Sequence, residues 1–82
     1  MDDSTASVMQ QLVASSSPDS WRDALVVSSS DGRLELALLD GSSRVVAHDG
    51  RIALASGTPV GLHPLAGVLA DGRRRLDVRV IG

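Results

Sequence analysis

Residues 25–54 read LVVSSSDGRLELALLDGSSRVVAHDGRIAL, and this stretch decides the fold. Asp-Gly occurs at 31–32, 40–41 and 49–50, nine residues apart each time, and the segments between alternate apolar and polar residues. Asp-Gly between alternating runs is a strong hairpin signal, because a two-residue type I′ loop needs positive φ at both central positions. Taking every pair as such a loop sets a register. Val27 faces Leu36, Leu36 faces Val45, and Val45 faces Leu54. The flanking rows are Leu25, Leu38 and Ser43 on one side, and Ser29, Leu34, Ala47 and Ile52 on the other. Every row on that face is apolar or small. A one-residue slip would carry each strand's set to the opposite face, which holds Val26, Ala37, Arg44 and Ala55 with Ser28, Glu35, Val46 and Ala53.

Downstream, Ser56-Gly57-Thr58-Pro59 reads as a turn and Val60 to His63 as a short strand that Pro64 ends, since proline cannot donate to a ladder. Leu65 to Ala70 reads as a further strand, with Gly67 marking a bulge or a close backbone approach. Asp71-Gly72 turns the chain, and Leu76, Val78 and Val80 then alternate with Arg75, Asp77 and Arg79 in a last strand. The fold expected is mainly β. An antiparallel meander forms a small SH3-like barrel or curled sheet over residues 17–82, with an N-terminal helix. An OB barrel fits less well, because no helical segment separates the third and fourth strands.

Upstream, residues 1–16 read as an amphipathic helix and a Ser-rich linker. Asp3 or Ser4 is the expected cap, and Val8, Met9, Leu12 and Val13 form an apolar stripe. So short a helix is marginal alone and either docks or frays. The favoured site is the barrel's own mixed face, covering Val26, Val46 and Leu39; the other is a groove on a neighbouring subunit. Ser17 and Pro18 open a helical turn over 18–23 that delivers Trp21 to the edge of the core.

Composition narrows the chemistry. Eighty-two residues make one domain of modest core. All eight cations are Arg, which points to GC-rich bacterial or phage coding and removes every lysine-based mechanism, from Schiff bases to carrier lysines. Cysteine is absent too, so thiolate nucleophiles, disulfides and Cys-type zinc sites are excluded. A formal charge of −2 creates no strong field toward nucleic acid or anionic lipid. Neither a membrane-length apolar run nor a basic leader is present, and a cytoplasmic location is expected.

The Asp-Gly-Arg triplets at 31–33, 49–51 and 71–73 read as turn chemistry rather than metal loops, which gather oxygen ligands at alternate positions. His48 is expected at an ordinary exposed position opposite Arg33, and His63 at a corner; their spacing supports no metal site. No serine stands in a Gly-x-Ser-x-Gly elbow. No catalytic residue, metal or cofactor is therefore expected. Two surfaces stand out: the basic cluster Arg73, Arg74, Arg75 and Arg79, and the stripe Val8, Met9, Leu12 and Val13. The expected function is a non-enzymatic protein-interaction or accessory module, with homo-oligomerisation as one form of the partnership. The alternative is nucleic-acid binding through the Arg cluster, against which weighs the lack of aromatic platforms for base stacking.

Overall fold

The computed structural model describes residues 5–50 and 52–82. An α-helix, α1 (Val8–Ser16), and a 3₁₀ turn (Pro18–Ser20) precede seven strands. These are β1 (Arg22–Ser30), β2 (Arg33–Leu38), β3 (Ser43–Ala47), β4 (Pro59–His63), β5 (Val68–Asp71), β6 (Arg74–Asp77) and β7 (Arg79–Val80). All pair antiparallel in one sheet of order β6-β5-β4-β1-β2-β3-β7. β6 and β7 stand at opposite ends of that order, yet only Val78 separates them. One kinked strand therefore touches both sheet edges and curls the sheet into a nearly closed, small all-β barrel. The barrel comprises two meanders, β1-β2-β3 and β4-β5-β6, joined where β4 returns beside β1. Among the described residues, no helix is long and apolar enough to cross a membrane.

The interior is aliphatic. Leu34, Leu36, Leu62 and Leu69 are fully buried, with Ala24, Val26, Leu38, Val46, Ile52, Val60, Leu76 and Val78 around them. The inward set of β2 is the one its alternation predicts. Its neighbours are not, and two local events explain why.

At 31–32 both Asp31 (φ 51°) and Gly32 (φ 75°) are left-handed, as a type I′ loop demands, and Ser29 pairs with Leu34 as expected. Beyond that, Val27 is an extra residue bulged out of β1, and the pairing shifts to Val26 with Leu36 and Ala24 with Leu38. Bulges sharpen the twist a small barrel needs. This one turns Ala24 and Val26 inward and leaves Leu25 and Val27 half-exposed.

At 40–41 only Gly41 has positive φ. The Leu38 carbonyl accepts from the Gly41 N–H, and the Leu38 N–H donates to the Ser42 carbonyl, which makes a three-residue loop of Leu39, Asp40 and Gly41. The extra residue moves the register by one. Leu34 faces Val46 and Glu35 faces Val45, so Val46 rather than Val45 enters the core. The expected row Val27-Leu36-Val45-Leu54 does not form.

The third expected hairpin is also absent. The Gly50 N–H donates to His48 Nδ1 rather than to a ladder, and residues 52–55 run without strand structure. This connection carries the chain to the far side of β1, where Gly57 and Thr58 bond to Val26. On the way Ile52 is buried and Leu54 packs against the core, so the segment plugs the barrel instead of widening it. The strand expected from Leu65 shortens to Val68–Asp71, because Pro64 to Gly67 form the connecting turn. Gly67 (φ 68°) lies so close to the Val78 carbonyl that a Cβ there would sit 2.7 Å from its oxygen.

Candidate functional site

α1 begins where a capping box places it. The Ser7 hydroxyl accepts from the Gln10 N–H, and Gln10 Oε1 accepts from the Ser7 N–H. The expected caps Asp3 and Ser4 lie outside the described residues; Ser7 is the cap. Ahead of it, the Ala6 N–H donates to the Arg75 carbonyl and Thr5 bridges Leu76, which ties the segment to β6.

Docking of α1 on the barrel is polar. Gln10 Nε2 donates to Asp77 Oδ1 at 2.7 Å and to the Gly67 carbonyl at 3.1 Å, while Ala14 is buried beside it. Residues 10 and 14 lie one turn apart on one face, so the opposite face looks outward. That face carries the stripe: Val8 is 75% exposed, Met9 69%, Leu12 56% and Val13 38%. The favoured expectation, that the stripe covers the barrel's mixed face over Val26 and Val46, is overturned. Both valines face the interior, and at the seam Gln10 Nε2 donates to backbone carbonyls and to the exposed Asp77 carboxylate. Leu39, the third residue expected under the stripe, is itself exposed in its loop.

The arginines divide. Arg73 is exposed at the loop between β5 and β6, and Arg74 reaches Asp71 at 3.7 Å. Arg75 is half-buried, its guanidinium 5.7 Å from the centre of the Trp21 ring, and it donates to the carbonyls of Gly72 and Arg74. Arg79 is on β7, opposite Ala47, beyond the Val78 kink. Three of the four thus gather around one turn, with Arg74 and Arg75 engaged within the chain.

Trp21 does sit at the edge of the fold. It meets His63 edge-on at 5.1 Å and passes over Gly61, where a Cβ would lie 3.4 Å from its ring. An open groove of about 480 Å³ runs beside it over the row Asp23, Gly61, Ala70 and Arg75, which the register aligns across four strands. His63 is fully buried. Its Nδ1 accepts from the Ala66 N–H, so Nε2 carries the hydrogen and donates to the Ser17 carbonyl at 2.8 Å. That bond fastens the 3₁₀ turn to β4, a structural task. Ser17 does hold the N-cap position there, though its side chain makes no cap bond.

His48 is half-buried rather than exposed. Its Nε2 is buried and has no hydrogen-bond partner among the described residues, and the residue lines a cleft of about 190 Å³ with Asp49, Asp77 and Arg79. Among the described residues, no three His, Asp or Glu side chains gather as a metal-binding group. The Asp40 carboxyl is held below its ordinary value by the Ser42 hydroxyl and N–H, both of which donate to it.

The residues that sequence reading missed are Ser7 and Gln10. Their signal was present, since Ser-x-x-Gln before an apolar run is a capping-box pattern. Comparison with family models, with curated proteins and with solved structures finds no match for this chain.

Proposed function

We propose that this chain is a non-enzymatic interaction module whose contact surface is the outward face of α1. One observation carries the reading: the helix is held to the barrel through Gln10 and Ala14, while Val8, Met9 and Leu12 remain more than half exposed. Ordering this helix while its apolar side faces water leaves an unfavourable hydration term that a partner removes. The barrel acts as the platform. It fixes the direction of the face through a rigid seam, so little ordering entropy remains to be lost on association.

The test is the double substitution Val8→Ser with Leu12→Ser. Both side chains point away from the fold, so the unfolding free energy should change by less than about 1 kcal/mol. Association, read as sedimentation behaviour and as retention of partner proteins, should be lost. A variant that associates like the wild type overturns the reading. So does a loss of stability on the scale of a core substitution, which would mean that the face is buried within the fold.

A further inference from the structure

We propose that the groove beside Trp21 is a second contact site, which takes an extended peptide segment of a partner with an acidic side chain at Arg75 and a basic one at Asp23. The site lies on the barrel and does not use the outward face of α1.

The strand sequences explain why a groove exists. Gly61 and Ala70, the two smallest residue types, stand side by side in the row between Asp23 on β1 and Arg75 on β6. They leave the sheet surface bare along a trough of about 480 Å³ that Trp21 and Pro59 also line. Three strand spacings put its ends about 14 Å apart, the reach of about four extended residues.

Two features narrow the occupant to a peptide lying across the strands. β1, β4 and β5 are paired on both sides, and β6 pairs with β5 while its other edge meets Thr5 and Ala6. Among the described residues, strand addition therefore has no free ladder here, and recognition falls to side chains. The trough is also open along its length. A small molecule needs most of its surface enclosed, whereas a segment carried by a larger partner needs only a surface to lie on.

Charge then sets the side chains of that segment. The trough ends in a carboxylate at Asp23 and a guanidinium at Arg75. At the Arg75 end a further cleft of about 230 Å³ opens, lined by Arg73, Arg74 and Gln11, so that end is the more strongly charged. Arg75 is held in place before any ligand arrives. Its guanidinium lies 5.7 Å from the centre of the Trp21 ring, and Nη1 donates to the carbonyls of Gly72 and Arg74. Nε and Nη2 make no further bond among the described residues, and these two nitrogens form the planar fork that a carboxylate accepts. A guanidinium already fixed in this way loses little freedom on binding. The acidic side chain is therefore the anchor, the basic one at Asp23 a weaker second contact, and the residues between pack on Trp21 and the Gly61–Ala70 floor.

Trp21 is the only tryptophan, so its emission reports occupancy in the full-length protein. The probes are the end-blocked peptides Glu-Ala-Pro-Ala-Arg and Arg-Ala-Pro-Ala-Glu, in which proline resists helix formation. One of the two should shift the emission saturably, and replacing its Glu by Gln should weaken binding about tenfold or more. Replacing its Arg by Gln should weaken binding about threefold, as befits an exposed pair. Arg75→Gln should erase the preference for Glu over Gln. Asp23→Asn, at an exposed position, should erase the preference for Arg over Gln. The Val8→Ser, Leu12→Ser variant should bind as the wild type does, which keeps this result separate from the fate of the α1 face. No saturable shift with either peptide at about 5 mM would overturn the inference. So would equal affinity for the Gln analogues, which would mean adsorption to Trp21 alone. An equal shift with inorganic phosphate alone would make the occupant a free oxyanion and overturn the peptide assignment.

Discussion

The barrel interior and the outer surface of α1 are built from the same kinds of side chain, with opposite outcomes. Leu34, Leu36, Leu62 and Leu69 are sealed from water, whereas Val8, Met9 and Leu12 face it. What differs is the surface each set would pack against. Inside the barrel, the ladders satisfy the backbone, and only apolar side chains remain to be matched. Beneath α1, the Gly67 carbonyl and the exposed Asp77 carboxylate offer acceptors that Gln10 Nε2 meets. The helix face that brings a donor wins the seam, and the apolar stripe is turned away. Where a hydrophobic stripe points is thus decided by the polar groups of its docking surface as well as by its own residues.

Substitutions can break or sharpen this contrast, beginning with the largest effect. Leu36→Ala empties a fully buried site and should lower the unfolding free energy by about 3–4 kcal/mol in denaturant titration. Gly67→Ala should cost about 2 kcal/mol or more, since it combines a left-handed backbone with a contact against the Val78 carbonyl. Gln10→Glu keeps the capping box yet withdraws the donors and sets a carboxylate against Asp77, so a loss of about 1–2 kcal/mol is expected. If Gln10→Glu proves neutral, the seam is not what orients the helix.

Smaller still is an acid effect on the β2–β3 loop. Asp40 has its folded value depressed by the two bonds from Ser42. Its contribution is therefore complete above the ordinary carboxylate range and is lost as pH falls below it. Asp40→Asn should lower stability slightly at neutral pH and match the wild type in acid, which flattens that part of a stability-versus-pH series.

Legibility followed locality. The inward face of β2, the 31–32 turn, the place of Trp21 and the alternating Leu76, Val78 and Val80 were all readable from nearest neighbours. Register was not, because one dipeptide served several loops. Asp31-Gly32 forms a two-residue loop, Asp40-Gly41 lies in a three-residue one, and Asp49-Gly50 makes no hairpin. Each choice depends on where the barrel must curl, which is a long-range demand. The Val27 bulge belongs to the same class. At the candidate site, the stripe and its residues were legible and the cap at Ser7 was within reach. The direction of the stripe was hidden, because Gly67 and Asp77 lie far along the chain from Gln10.

The orientation of α1 is the central claim, and solvent paramagnetic relaxation of methyl groups, in dilute protein, tests it most directly. The Met9 methyl and those of Val8 and Leu12 should relax strongly with the added agent, while the methyls of Leu34, Leu36, Leu62 and Leu69 stay unaffected. Protected Val8, Met9 and Leu12 methyls alongside a strongly relaxed Ala14 methyl would show the helix docked the other way and contradict the account.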